Sequence, residues 1–222
     1  MQPASDWLLW QLADSAFPTG GFAHSGGLEA AWQLGLVERA SLGAFLASTL
    51  EHAAAGALPL VGAVHDEPGA FAAMDALADA SLTNHVANRA SRAQGAALLA
   101  TSASAFGLAE VVSLRARALR SEWPQHAAPS FGLVARALGV ERGAACRLFV
   151  FQAMRGLVSA AVRLGAVGPL AAQSLQHRLG AAAEEVAVSC AARSPDDVAQ
   201  ASPLVEVFQG QQDRLYSRLF SS

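Results

Sequence analysis

The residues best suited to chemistry are His24 and Ser25, which are neighbours in the run Ala23-His24-Ser25-Gly26-Gly27. A serine beside a glycine turn can act as a nucleophile, and histidine is the most common general base. However, the run matches only half of the G-x-S-x-G nucleophile elbow, and that elbow also needs a strand before the serine. We therefore interpret Ser25 or its neighbour as a helix N-cap. A helical hydrolase or small-ligand-binding protein that uses His24 and Ser25 is the alternative.

The spacing of the other polar residues does not support a metal site or a pair of catalytic carboxylates. No second histidine, cysteine or carboxylate follows His24 at the spacing of metal ligands. The other histidines fall in different predicted helices: His52, His65, His85, His126 and His177. Glu184-Glu185 and Asp196-Asp197 are adjacent pairs, and adjacent side chains on a helix point in different directions. We therefore predict no catalytic residue, no metal ligand and no cofactor.

Composition narrows the class of protein further. The chain of 222 residues has 15 basic residues, all of them arginine, and 18 acidic ones, which gives a formal net charge of −3. Without lysine there is no Walker-type phosphate loop and no Schiff base, and the charge argues against a nucleic-acid partner. Hydrophobic residues make up 53% of the chain, and many of them are alanine. This predicts closely packed helices and a self-associating surface.

The N-terminus and the apolar runs predict a cytoplasmic chain with no membrane partner. Residues 1–6 carry neither the basic segment nor the cleavage site of a signal peptide. The most apolar run, residues 148–162, is interrupted by Gln152 and Arg155 and is too short to span a bilayer. Cys146 and Cys190 have no C-x-x-C spacing, so we expect two free thiols.

Apolar residues recur with the 3.6-residue period of helices along the whole chain. The clearest amphipathic helix follows Ser41, with apolar positions at Leu42, Phe45, Leu46, Thr49, Leu50 and Ala53. Residues 141–165 are apolar almost all round, which is typical of a central buried helix. Only residues 204–208 are β-branched enough to be extended. The sequence predicts an all-α fold, with residues 1–222 forming a single domain of about ten helices around the central one.

A glycine-rich stretch, residues 15–29, lies between two of the predicted helices. It combines four glycines with a proline, two phenylalanines and a histidine. Glycine doublets allow positive φ, so we expect strain if Gly20 or Gly21 is replaced by valine. Phe17 and Phe22 predict that the stretch packs onto the body of the protein. The next helix is expected to begin near His24.

The C-terminal tail, residues 209–222, has two parts. Residues 209–213 are polar and contain a glycine, so we expect them to be flexible in the isolated protein. The apolar residues that follow are spaced to give a short helix one apolar face: Leu215, Tyr216, Leu219 and Phe220. A helix of about two turns does not hold itself in water. Its apolar face must therefore fold back onto the bundle or become ordered on a partner.

Several of these segments resemble the urease accessory protein F family. The similar segments, all in the right order, are residues 15–29, 84–95, 129–132, 160–164 and 216–222. The chain departs from the family pattern at residues 169–172, where a Gln/Thr/Gly-rich run is common. It also departs at residues 208–212, where a more basic segment is common. The Arg218-Leu219-Phe220 end is kept.

The resemblance implies an all-helical homodimer without catalytic activity. Such a protein binds urease accessory protein D (H in some species), recruits the GTPase urease accessory protein G and promotes nickel insertion into apo-urease. The resemblance also favours urease accessory protein D as the partner on which the C-terminal tail becomes ordered. The expected partner-binding residues are Gly20, Gly21, Phe22, His24, Ser25, Gly27, Glu29, Tyr216, Arg218, Leu219 and Phe220.

Overall fold

The computed structural model describes residues 5–222, and within that range it contains ten α-helices and no strand. The prediction of an all-α fold is confirmed. The expectation that concerns residues 1–4, the lack of a signal peptide, lies outside the described residues. The helices are α1 (Asp6–Ala13), α2 (Leu28–Gln33), α3 (Leu42–Asp66), α4 (Phe71–Ser81), α5 (His85–Phe106), α6 (Ala109–Arg120), α7 (Ala127–Ala137), α8 (Arg142–Arg163), α9 (Pro169–Ala191) and α10 (Pro203–Gln211).

Two long helices, α3 and α8, lie at the centre of the bundle. Helix α8 corresponds to the predicted central helix, and Arg147 is its one exposed residue. Helix α3 shares the central position, because it packs against α4, α7, α8, α9 and α10. The buried apolar side chains of these helices form one connected cluster, and both Cys146 and Cys190 lie in it as free thiols.

Two glycines allow α7 to approach its neighbours closely. A Cβ atom at Gly95 in α5 would overlap the carbonyl oxygens of Gln125 and His126, just before α7. A Cβ atom at Gly132 in α7 would overlap the carbonyl oxygen of Val61 in α3. These positions therefore set the distance between α7 and the helices on either side of it.

The start of α7 is also fixed by a buried polar network. Asp75 of α4 accepts hydrogen bonds from the backbone N–H groups of Gln125 (2.8 Å) and His126 (2.6 Å). Burial raises the pKa of Asp75, while these two hydrogen bonds oppose that rise. The fully buried ring of His126 lies 3.1 Å from Ser91 Oγ and 3.0 Å from Asp79 Oδ1. The network joins α4, α5 and α7, and buried polar groups satisfied in this way specify one packing arrangement.

The structure corrects two details of the predicted helices. Residues 204–208 are helical, because Pro203 starts α10, where its fixed φ and missing N–H are favourable. Val205 of α10 is buried, and the ring of Phe208 lies 5.8 Å from that of Phe45. Helix α2 begins at Leu28 rather than near His24, because His24 is extended and a turn at Gly26 and Gly27 precedes the helix.

Helices α3 and α8 are each long and apolar enough to cross a membrane, as judged by length and composition alone. The prediction for residues 148–162 considered only the most apolar run, whereas the whole of α8 has 22 residues. Within the bundle, 56% of the most apolar window of α3 and 50% of that of α8 are buried. Such burial is usual for the core helices of a bundle.

Candidate protein-binding site

The glycine-rich stretch packs onto the bundle, as its two phenylalanines predicted. The ring of Phe17 stacks on Phe106 at 5.9 Å, and Thr101 Oγ1 donates a 3.1 Å hydrogen bond to the carbonyl oxygen of Pro18. Gly20 has a φ of 76°, which confirms the need for glycine there, whereas Gly21 does not have a positive φ. Valine at Gly20 is therefore expected to strain the backbone.

The C-terminal segment returns to this stretch and pairs with it. The N–H of Ser221 donates to the carbonyl oxygen of Ala23 (2.8 Å), and the N–H of Ser25 donates to that of Ser222 (2.6 Å). Residues 215–222 contain no helix, so the prediction of a short helix in the tail is wrong. The N–H groups of residues 219–221 bond to the 20–29 stretch, so they are not available for helical bonds. We call residues 20–29 and 212–222 together the Glu29 platform.

Glu29 is the centre of the platform, and it is fully buried at the start of α2. Its Oε1 accepts from the N–H of Leu219 (2.6 Å) and from the Gln33 amide (3.2 Å). Its Oε2 accepts from the Gln212 amide (2.6 Å) and from the N–H of Phe220 (3.2 Å). A buried carboxylate is tolerated only when its oxygens are satisfied. Four donors fulfil that condition here, and three of them belong to the C-terminal segment.

Arg163 of α8 contacts both segments of the platform, residues 20–29 and residues 212–222. Its guanidinium lies between the rings of Phe22 (3.9 Å) and Phe220 (4.1 Å). It also donates to the carbonyl oxygens of Phe22 (2.6 Å) and Leu219 (3.3 Å). A guanidinium placed over aromatic rings is attracted to their faces, so Arg163 fixes both phenylalanines in place.

An ion cluster at one edge attaches the tail to α5. Arg89 binds Asp213 through both guanidinium nitrogens, at 2.9 and 3.1 Å, and these hydrogen bonds are the main reason that the pKa of Asp213 is lowered. His85 Nε2 and Arg218 Nη1 each lie 3.2 Å from the same carboxylate. Asp213 therefore has three basic neighbours. Residues 209–213 are helical, and Gln212 and Asp213 are held by the contacts described above; their flexibility in the isolated protein stays a prediction.

His24 and Ser25 do not form a nucleophile and its base. His24 Nδ1 lies 2.6 Å from Ser222 Oγ. Ser25 is fully buried, and its Oγ lies 3.4 Å from the N–H of Glu29, at the start of α2. The N-cap residue of α2 is Gly27, so the prediction that Ser25 or its neighbour takes this position is wrong, although Ser25 still accepts from a first-turn N–H. The hydrolase interpretation therefore has no support in the geometry of these two side chains.

A cavity of about 860 Å³ lies beneath the glycine-rich stretch, between it and helices α3, α5 and α8. This volume is within the range of small-molecule sites. Small side chains such as Ala53, Ala90 and Ala153 line much of it. His24 borders the cavity, but Ser25 does not. Among residues 5–222 no group of three or more His, Cys, Asp or Glu side chains is arranged to hold a metal ion.

The eleven residues predicted to bind partners all lie on the Glu29 platform, but they differ in accessibility. The exposed ones are Gly20, Phe22, Tyr216, Arg218 and Leu219; Gly21 and His24 are half-buried; Ser25, Gly27, Glu29 and Phe220 are buried. The buried residues support the surface from within, and their direct contact with a partner stays a prediction. Four further residues of the site were not predicted from the sequence: Gln212, Asp213, Arg89 and Arg163. Gln212 and Asp213 lie in the polar run that was expected to be flexible, and this run was the only sequence signal for them.

The His24 side chain makes docking of the tail sensitive to acid. Burial, and after it the charge of Arg89, lowers the pKa of His24, so the folded state favours the neutral ring. The unfolded chain binds a proton near the ordinary value of about 6.5, so this stability is present above that pH and is lost as the pH falls. We expect the melting temperature to decrease between about pH 7.5 and pH 5.5, and to decrease less in His24→Gln. The exposed His177→Gln is the control, and an equal decrease in all three proteins would contradict the prediction.

The fold and the platform define an all-helical protein whose candidate site is a binding surface built on a rigid core. A family model described as UreF matches residues 36–180. Urease accessory protein F of Oryza sativa subsp. indica is 40% identical over 225 residues, which cover 99% of this chain and 86% of the relative. The protein of the same name from Arabidopsis thaliana is 39% identical, with 97% and 92% covered. Urease accessory protein UreF of Arthrobacter sp. (strain FB24) is 34% identical, with 96% of each covered.

The chain therefore belongs to the urease accessory protein F family. Its members are accessory proteins rather than enzymes, and the chain accordingly has a non-catalytic role in urease maturation. It interacts with the urease maturation machinery. The resemblance that the two terminal segments indicated is confirmed, and the Glu29 platform is where those two segments meet.

Proposed function

We propose that the chain is a scaffold that binds urease accessory protein D (H in some species) through the Glu29 platform. The complex then recruits the GTPase urease accessory protein G and promotes nickel insertion into apo-urease. The scaffold acts in the cytoplasm as a homodimer. Membership of the family supports the role in urease maturation, and the platform supports the choice of surface.

The observation that carries the proposal is a group of exposed apolar side chains on an ordered base. Tyr216 is fully exposed, Phe22 is 66% exposed and Leu219 is 58% exposed. Large apolar side chains that face water side by side indicate a binding surface, and Arg163 brings Phe22 and Leu219 together by donating to both of their carbonyl oxygens. Tyrosine is enriched among residues that dominate binding energy. Glu29 and Arg163 hold the backbone beneath them, so little ordering entropy opposes binding.

The homodimer is supported by apolar side chains exposed elsewhere. Leu170 and Val188 on α9 are exposed, as are Val112 and Leu119 on α6. A two-fold dimer buries one self-complementary patch on each subunit. These faces of α6 and α9 lie outside the platform. A dimer formed through them would therefore leave the platform accessible to urease accessory protein D.

The double variant Tyr216→Ala, Leu219→Ala tests the surface directly. Both side chains point to solvent, so we expect an unchanged melting temperature. Loss of both should weaken the complex with protein D by more than about tenfold. Co-expression with proteins D and G, followed by size-exclusion chromatography with light scattering, measures complex formation and the mass of the isolated chain.

Leu204→Ala is the matched control, because Leu204 is an exposed leucine at the start of α10, outside the platform and outside the α6 and α9 faces considered for the dimer. It should bind protein D as the unaltered chain does. If the double variant forms the complex with full affinity, the platform is not the surface that binds protein D.

A further inference from the structure

Three basic side chains lie along one face of α5 next to the Glu29 platform. His85, Arg89 and Arg92 are spaced at i, i+4 and i+7, which places them in one row on a helix. All three are exposed, and they line a cleft of about 410 Å³ together with Leu82, Thr83 and Asn88. Arg218 of the tail extends the row through its contact with Asp213. We call His85, Arg89, Arg92 and Arg218 the basic patch.

The basic patch keeps an excess of positive charge. Its three guanidinium groups face two carboxylates, Asp213 of the tail and Asp79 of α4. Asp79 already accepts from Asn88 and lies beside His126, and the charge of Arg92 contributes only a small part of its lowered pKa. Arg92 makes no hydrogen bond or ion pair with any residue of the described range 5–222. A positive surface therefore faces water in a chain whose formal net charge is −3.

The geometry around Asp213 shows which anion the patch accepts. Arg89 holds that carboxylate in a two-nitrogen fork, which is the arrangement that favours carboxylates and fixes their orientation. Arg92 lies one turn further along the same face, and its guanidinium is free to make the equivalent contact with a carboxylate that comes from outside.

We propose that the basic patch binds an acidic segment of the partner protein that covers the Glu29 platform. The inference rests on the proposed function, because it names the chemistry by which that partner is recognised. Arg218 belongs to both the patch and the platform, and Asp213 of the platform binds Arg89 and Arg218 of the patch, so the two surfaces adjoin. Asp213 stays in place as the internal counter-ion of Arg89, Arg218 and His85, while Arg92 receives a carboxylate of the partner. Complementary charge of this kind mainly accelerates association and adds specificity.

Arg92→Glu tests the proposal without disturbing the fold, since the side chain is exposed and makes no polar contact within residues 5–222. We expect the affinity for urease accessory protein D to fall about tenfold, mainly through the association rate. The difference should largely vanish between about 50 mM and about 500 mM NaCl. Surface plasmon resonance on the full chain measures both rates. Arg178→Glu is the matched control, because Arg178 is also an exposed arginine within a long helix, α9.

A synthetic octaglutamate peptide separates this inference from the proposed function. It should bind the unaltered chain and Arg178→Glu, and it should bind Arg92→Glu at least about tenfold more weakly. An octaglutamine peptide should not bind. If the unaltered chain binds octaglutamate but not protein D, the proposed function is wrong, whereas the inference that the basic patch binds an acidic segment is still supported.

The inference is overturned by any of three results. One is that protein D binds Arg92→Glu with the unaltered affinity and salt dependence. Another is that octaglutamate does not bind the unaltered chain. The last is that inorganic phosphate, at constant ionic strength, occupies the patch where octaglutamate does not, because the site would then serve a small anion instead of a protein segment.

Discussion

The Gly95→Ala variant is expected to lose about 3–5 kcal/mol of unfolding free energy, or to fail to fold. The new methyl group would overlap the carbonyl oxygens of Gln125 and His126, which belong to backbone and cannot rotate away. Those two residues also donate their N–H groups to buried Asp75. A shift of α7 away from α5 would therefore break buried hydrogen bonds as well as packing. Urea unfolding followed by circular dichroism measures the loss.

Gly180→Ala provides the matched control for this variant. Gly180 also lies within a long helix, α9, but no atom of residues 5–222 outside its own helix and neighbours lies within 4 Å of the position that its Cβ would take. Alanine there should stabilise the protein by about 0.5–1 kcal/mol, because glycine is a poor helix former. If Gly95→Ala were as stable as Gly180→Ala, α5 and α7 would not pack as closely as the structure shows.

Glu29→Ala is expected to release the C-terminal segment and to lower the unfolding free energy by about 3 kcal/mol. The substitution removes the acceptor of four hydrogen bonds and leaves the N–H groups of Leu219 and Phe220 without a partner. These groups then have to reach water, which requires the segment to move away from α2. Limited trypsin digestion should show the change, since Arg214 and Arg218 become accessible to cleavage. Thermal unfolding gives the size of the effect.

Glu185→Ala controls for the loss of a glutamate as such, because Glu185 is exposed on α9. It should leave both the melting temperature and the trypsin pattern unchanged. Glu29→Gln keeps the shape but places an amide donor among other donors, so it should fall between the two alanine variants. Glu29→Ala with full stability and an uncleaved tail would show that the carboxylate does not hold the segment.

The helices could be predicted because each depends on residues close together in the chain. The apolar row after Ser41 became α3, and the run that is apolar all round became α8. Helix α10 is the exception to this rule, because its formation also depends on contacts with residues outside the helix. Phe208 packs on Phe45, and Asn84 donates to the carbonyl oxygen of Glu206. A β-branched segment without such contacts has no local signal for a helix.

The candidate site could be predicted only as two separate segments. Residues 15–29 and 216–222 were identified by resemblance, but nothing local to either one indicates that Glu29 accepts from Leu219 and Phe220. Gln212 was read as part of a flexible polar run, although its side chain is buried against Glu29. The basic row on α5 could have been found from its i, i+4, i+7 spacing. Its counter-ion, Asp213, could not, because the two lie more than a hundred residues apart.

The hydrogen bonds that join the two segments of the Glu29 platform directly connect residues between 183 and 198 positions apart along the chain. Contacts of such separation carry a high loop-closure entropy and form slowly, after local helices and their nearest packing partners. We therefore expect the platform to be completed last, when the rest of the bundle is already assembled. A partner that binds it would then select chains that have finished folding, and incompletely folded copies would not enter the maturation complex.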